Sequence, residues 1–327
     1  MTEPKMSRRN FAVWAAALYS GSVWSQPVSA RQYDLTVSQV GSRLHAVPFL
    51  IARDRGWFRE LAGINVRGFI GSSGGGTSLR NALAADLPYG EVSLAAAISA
   101  LSQGVELTIV HGGVQTLADQ FWVVRTGETG LNTRADLKGR RLGYSATGSL
   151  SDMVSRVMIE SAGLENQLER RVVGPVKAAL EALRDGTVDI VMISEPMLSR
   201  SRETVRPVWS AAEVFGPCMQ TVGVARSDWL LRNGSTMRGI IAARRKAVHL
   251  IRDEPPQAAL VISGEHGIAP ARALQLVERL LGSGGLWSDG AFHPQAIQAL
   301  EQGLKKVGVL SGAGEEWRRA VRADYLS

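Results

Sequence analysis

Cysteine is nearly absent: the 327-residue chain has one, Cys218, which excludes a disulfide framework and any metal site built from several thiolates. Histidine is sparse and scattered. His45, His111, His249, His266 and His293 show neither H-x-x-x-H nor H-E-x-x-H spacing, so no metal site is expected. After residue 30 no run is long and apolar enough for a membrane helix, which needs about 20 residues. No period in the range of about 20 to 50 residues repeats as a solenoid would. A basic stripe is missing too. Arg140-Arg141, Arg170-Arg171 and Arg244-Arg245-Lys246 are dispersed without aromatic partners, so no nucleic-acid partner is expected. They read as solvated charge with a slight pull on anions.

What remains is an ordinary globular composition, 45% hydrophobic and 20% charged, long enough for two domains. The net charge is +7. Residues 1–30 are set apart as an export signal. Lys5, Arg8 and Arg9 form a basic head, Phe11 to Tyr19 is uncharged and apolar, and Val28-Ser29-Ala30 is a small-x-small cleavage pattern. Ser7-Arg8-Arg9-Asn10-Phe11 resembles the start of a twin-arginine signal, the route preferred over an ordinary secretory head. The expected location is therefore periplasmic, soluble after cleavage.

The mature chain alternates strand and helix patterns. Strands are expected at Tyr33 to Val40, Ile64 to Ile70, Val92 to Ala97 and Val105 to Val110, with helices at about Ala46 to Leu61, after Thr77 and after Ala97. The pattern restarts with strands at Phe121 to Arg125, Arg141 to Ser145, near Arg171 to Val173, and Val188 to Ile193. Between them the clearest helix places Leu150, Met153, Val154, Val157 and Met158 on one stripe, with Ser149 and Asp152 at its start and Gly163 at its stop. Beyond about residue 220 the chain reads as mainly helical. The fold class is α/β: two lobes, each a parallel-rich sheet with helices on both faces, and a helical C-terminal tail bracing the first.

In such sheets ligands bind beyond the carboxyl ends of strands. The residues there are Ser42, Leu44 and His45; Ser72, Ser73, Gly74 and Thr77; Ser145, Thr147, Gly148 and Ser149; and Glu195. Two of these loops are rich in glycine and hydroxyls and run into helix N-termini, which offer unpaired N–H groups to an anion or carbonyl. Each loop taken alone could equally be a capped turn. Sharper motifs fail: Thr77 stands where a P-loop needs lysine, and Leu79 where a dinucleotide fingerprint needs its third glycine. Gly71-Ser72-Ser73-Gly74-Gly75 matches a nucleophile elbow, but on the second strand it precedes the loop that would supply the oxyanion hole. Glu195, held by Pro196, could accept from an amine or ring N–H, or merely start a helix.

Several segments together resemble the periplasmic solute-binding proteins of ABC importers for nitrate, sulfonate, taurine and the thiamine pyrimidine precursor. They are Ala52-Arg53-Asp54-Arg55-Gly56-Trp57-Phe58, the run Ala135 to Gly143, Ala179-Leu180 through Asp189, and Glu195-Pro196. The resemblance implies two α/β lobes joined by two crossings, closing on a ligand and delivering it to an inner-membrane permease. It assigns 31–120 with 223–327 to lobe 1 and 121–222 to lobe 2. Ser93 departs from the family's aspartate, and Ala85 to Ser93 carries extra residues. Without a lipid-anchor cysteine the protein is expected to be unanchored and a monomer. The expectation is a binder with no cofactor and no catalysis, holding a sulfonate, carboxylate or similar anion. The alternative is a nitrogenous ring or amine such as a pyrimidine precursor; the remote ones are an esterase using Ser73 and a pyrimidine-synthesising enzyme of related fold.

Overall fold

Residues 31–39, 41–72, 75–282, 284–310 and 316–327 are described in the computed structural model; the export signal, Ser73 and Gly74 lie outside them. The first sheet begins with β1 (Gln32–Val37), which ends buried at Leu35 and Val37. A 3-10 turn (Leu44–Ala46) leads into α1 (Val47–Asp54) and α2 (Trp57–Ala62). The single helix expected here is broken at Gly56, whose φ of 71° lies in the left-handed region that glycine adopts at least cost. Next come β2 (Asn65–Ile70), α3 (Gly75–Ala84), β3 (Tyr89–Ser93), α4 (Leu94–Ser102) and β4 (Leu107–Gly112). The strand expected at Val92 to Ala97 is thus displaced. Its alanine-rich second half opens α4, where Leu94, Ala97 and Ile98 are buried at helical spacing.

The second sheet is built from β5 (Gln120–Arg125), β6 (Arg141–Tyr144), β7 (Glu169–Val172), β8 (Ile190–Ser194) and β9 (Val205–Ser210). Between them lie α5 (Leu150–Ser161), α6 (Val176–Arg184) and α7 (Met197–Arg200). In α5 the expected stripe is buried at Met153, Val154 and Met158, and the Ser149 hydroxyl accepts from Asp152 N as the cap. After α8 (Ala211–Phe215) the chain returns through β10 (Thr221–Arg226) to the first sheet. β9 and β10 fall where no strand was expected.

Among the described residues both sheets have five strands, in the orders β2-β1-β3-β10-β4 and β7-β6-β8-β5-β9. Each contains one reversed strand. β10 pairs antiparallel with β3 and β4, and β5 with β8 and β9, while β1 with β2 and β3, and β6 with β7 and β8, are parallel. The reversed strands are those that follow the crossings at 113–119 and 211–220. These crossings are stitched together, Gly113 N donating to Thr221 O (2.9 Å) and Cys218 N to Gln115 O (3.0 Å).

The tail is α9 (Ser227–Asp253), kinked at Asn233, then α10 (Pro255–His266), α11 (Pro270–Gly282) and α12 (Pro294–Lys306). α9 and α10 pack on α1 and α2 of the first half. α12 departs from the placement expected of the tail: it packs on α5, with Gly303 against Met153 and Phe215. The chain then returns to β4, Val321 bridging Ile109. Close approach also fixes Gly239 in α9, where an added Cβ would stand 2.2 Å from the Leu61 carbonyl oxygen and 2.6 Å from Ala62 Cα. Gly239→Ala is expected to force α9 from α2 and to lower stability by about 1–3 kcal/mol, read as a fall in the urea midpoint. An unchanged midpoint would contradict this close packing.

Candidate functional site

Between the two sheets lies a cavity of about 890 Å³, within the range of small-molecule sites. It stands where the strand-end rule places it. Ser38 and Gln39 follow β1, Ser93 ends β3, Tyr144 and Ser145 lie at the end of β6, Val173 and Gly174 follow β7, and Ser194 ends β8. The reversed strands meet the same space with their amino ends, contributing Gln120 from β5 and Thr221 from β10, with Gln220 just before it. Apolar walls come from both halves: Leu79, Leu83 and Val105 on one, Met153, Val176 and Met192 on the other, with Leu300 and Leu304 of α12.

At the cavity floor is Arg43, the residue before the 3-10 turn, with extended backbone at φ −137°. Among the described residues its one side-chain hydrogen bond is long, 3.5 Å from Nη1 to Gln220 Oε1. Burial draws its pKa below the usual value, while the negative charge of Asp119 opposes that shift. Asp119 is fully buried behind Gln220, accepting from Gln220 Nε2 at 3.3 Å. Burial raises the pKa of its carboxyl, against the pull of Arg43. His45 lines the same floor, 3% exposed. Burial and then the Arg43 charge push its pKa down to about 3, the Ser38 backbone opposing, so its imidazole is neutral at physiological pH.

Across the cavity the N-terminus of α5 presents a ring of hydroxyls. Ser145 Oγ lies 3.0 Å from Ser149 Oγ and 2.8 Å from Ser151 Oγ, and the last two are 3.0 Å apart. Gly148 N is already committed to Asp152 Oδ2 at 2.9 Å. Asp152 is fully buried; burial alone would raise its pKa, but Arg170, the Gly148 N–H and Arg156 hold it below the usual range. Arg170 also lies over the Tyr144 ring, 4.3 Å from its centroid. The amino end of a 12-residue helix carries partial positive charge toward this space. No carboxylate and no cysteine lines the cavity among the described residues.

Of the residues expected at the site, the structure brings His45, Ser145, Gly148 and Ser149 to the cavity. Leu44 is elsewhere: its side chain is in the core and its carbonyl accepts from Trp287 Nε1 at 3.0 Å. Ser72 is drawn into a hydroxyl chain, 2.7 Å from Ser78 Oγ, which in turn accepts from Ser38. Thr77 is exposed and accepts from Arg80. Thr147 is exposed and outside the lining. Glu195 lies outside the cavity lining. It is fully buried, with Oε2 accepting from Ser199 N (3.0 Å) and Oε1 from Arg279 Nη2 (2.6 Å), so both oxygens serve the fold.

Sequence reasoning passed over Arg43, Gln120 and Gln220. Arg43 lies inside the strand-end loop already singled out, between Ser42 and Leu44. Applying the rule to every residue of that loop would have found it. The two glutamines sit where the reversed strands begin, a place no local pattern marks.

The protein-family model described as NMT1/THI5 like matches residues 44–258. No curated protein sequence matches the chain. Among solved structures it is similar to the periplasmic aliphatic sulphonate binding protein SsuA of Escherichia coli, at 16% identity and TM-score 0.66, covering 84% of this chain and 86% of that one. It is similar to the alkanesulfonate-binding protein SsuA of Xanthomonas axonopodis pv. citri bound to MOPS, at 17% identity and TM-score 0.66, covering 89% and 98%. The nitrate-binding protein NrtA of Synechocystis PCC 6803 matches at 13% identity and TM-score 0.64, covering 90% and 86%. These likenesses fix the fold, a two-sheet α/β periplasmic-binding-protein fold with C-terminal helices. With two-thirds of its length matched by the family model, the chain belongs to the NMT1/THI5-like family.

Proposed function

We propose that the chain is the solute-binding component of an ABC importer, exported through residues 1–30, that captures a small organic anion between its two lobes for a membrane permease. The lobes are 31–120 with 223–327, and 121–222, with α12 reaching across. The observation that carries the reading is Arg43, a partly buried guanidinium whose donors are mostly unspent, lining the same cavity as the amino end of α5. A sulfonate or carboxylate can take charge-assisted hydrogen bonds from the one and hydroxyl and amide donors from the other. A ligand bridging both sides favours the closed arrangement, because only there are both sets of contacts made.

The absence of a lining carboxylate among the described residues weighs for an anion over an amine, since Glu195 is sealed by Arg279. It also weighs against an esterase, for His45 has no acidic partner there to orient it as a base. Calorimetric titration of the protein with alkane- and arenesulfonates, carboxylates, nitrate, pyrimidines and amines tests this. One anion class is expected to bind with a Kd of about 1 μM or below, some −8 kcal/mol. Binding confined to amines or pyrimidines, or ester turnover, would overturn it. Cell fractionation tests export: a shortened chain in the periplasm is expected, and an uncleaved cytoplasmic one refutes that part.

A further inference from the structure

The side chain of Gln220 makes four hydrogen bonds that converge from separate parts of the chain. Nε2 donates to the Thr116 carbonyl and to Asp119 Oδ1, both in the first crossing. Oε1 accepts from Gln120 Nε2 (3.3 Å) at the start of β5 and from Arg43 Nη1 (3.5 Å) in the first half. A primary amide has two N–H donors and an oxygen with two lone pairs, so its capacity is filled. The main chain is equally committed: Gln220 N donates to Val114 O (2.7 Å), and Gln220 O accepts from Leu94 N (3.1 Å) at the start of α4. The orientation of the amide has one solution. Turned over, it would set an NH2 against the guanidinium and an oxygen against both the Thr116 carbonyl and the Asp119 carboxylate.

We propose that Gln220 is the positioning residue of this site: it aims Arg43 at the ligand and ties that guanidinium to both crossings. The proposal rests on the cavity being an anion site. A neutral acceptor is what the position requires. A carboxylate there would pair with Arg43 and cancel the charge meant for the ligand, while facing Asp119 across a buried gap. An apolar side chain would leave the Arg43 guanidinium unaimed and strand the donors of Gln120. The contact to Arg43 is also the longest of the four, so it is the one with room to change when an anion draws the guanidinium forward.

The test compares wild type, Gln220→Glu and Gln220→Met as full chains, titrated with benzenesulfonate, ethanesulfonate and benzoate. At about pH 7.5 the Gln220→Glu variant is expected to bind the wild type's anion at least about 10-fold more weakly, since an opposite charge now occupies Arg43. On acidification below about pH 4, past the ordinary glutamate pKa, it is expected to regain sulfonate affinity, because a protonated glutamic acid has the shape of glutamine. The groups around that position are Arg43, which lowers such a pKa, and Asp119 and the more distant Glu195, which raise it; His45 stays neutral. Gln220→Met is expected to be weaker at both pH values, and wild type to show no comparable rise. Thermal midpoints near that of wild type confirm folding. Wild-type affinity in Gln220→Glu at neutral pH overturns the proposal, as does a loss that acid does not relieve in a folded variant. Failure of the wild type itself to bind any anion overturns the reading of the cavity, and this proposal with it.

Discussion

Replacing Arg43 with alanine is expected to weaken anion binding by about 100-fold or more, ~3 kcal/mol, the scale for truncating one partner of a buried charged hydrogen bond. The expectation follows from geometry. Arg43 is a cation among the cavity-lining residues, its one side-chain hydrogen bond among the described residues is a long one to Gln220, and burial already depresses its pKa. Such a group costs stability while the cavity is empty and recovers it when an anion arrives. The thermal midpoint of ligand-free Arg43→Ala should therefore equal or exceed that of wild type, while the midpoint shift produced by ligand disappears. Arg43→Lys is expected to retain part of the affinity, since it keeps the charge but loses the planar fork. A Kd for Arg43→Ala within about 3-fold of wild type, less than 1 kcal/mol, would sink the assignment.

The second large effect is expected in stability, from Arg244→Met. Arg244 on α9 is 1% exposed and pairs with the fully buried Glu91 at 2.8 Å. Its Nη1 donates to the Ser288 carbonyl at 2.6 Å. The other oxygen of Glu91 accepts from Thr221 Oγ1 at 2.7 Å, and Thr221 Oγ1 accepts from Val114 N at 2.7 Å. Removing the guanidinium leaves a carboxylate buried without its counter-charge, which costs about 3–5 kcal/mol. A fall of roughly 10 °C in the midpoint follows for a chain of this size. Because a buried pair is itself no great stabiliser against apolar replacements, the double variant Glu91→Leu with Arg244→Met should recover much of the loss. Equal losses in the single and double variants would show that packing, and not the stranded charge, sets the cost.

The alternation of strand and helix was legible because it is local. The stripe of α5, its Ser149 cap and the strand runs at Tyr33, Ile64 and Phe121 each follow from spacing within a dozen residues. β9 and β10 were not legible, because Val205–Ser210 and Thr221–Arg226 carry arginine, proline or glycine within short runs, and pairing in the sheets settles them. Val92 to Ala97 failed for a related reason: a short apolar run suits a buried strand and a buried helix start equally. At the site, the strand-end rule picked out loops that reach the cavity, but not which of their side chains line it. It cannot tell a hydroxyl that faces a cavity, as in Ser145, from one that closes a turn, as in Thr77. The partner of Glu195, Arg279, was not legible because it stands 84 residues away.

The reversed strands also set an order of assembly. Strands β5 to β9 run without interruption from residue 120 to residue 210 and complete the second sheet from one continuous stretch. The first sheet starts earlier but keeps a gap between β3 and β4 until β10 fills it. As the chain leaves the ribosome, the sheet begun last is therefore the first that can be finished. The sheet begun first must hold two open strand edges until residue 226 has been made, the kind of exposed edge that invites wrong pairing during synthesis.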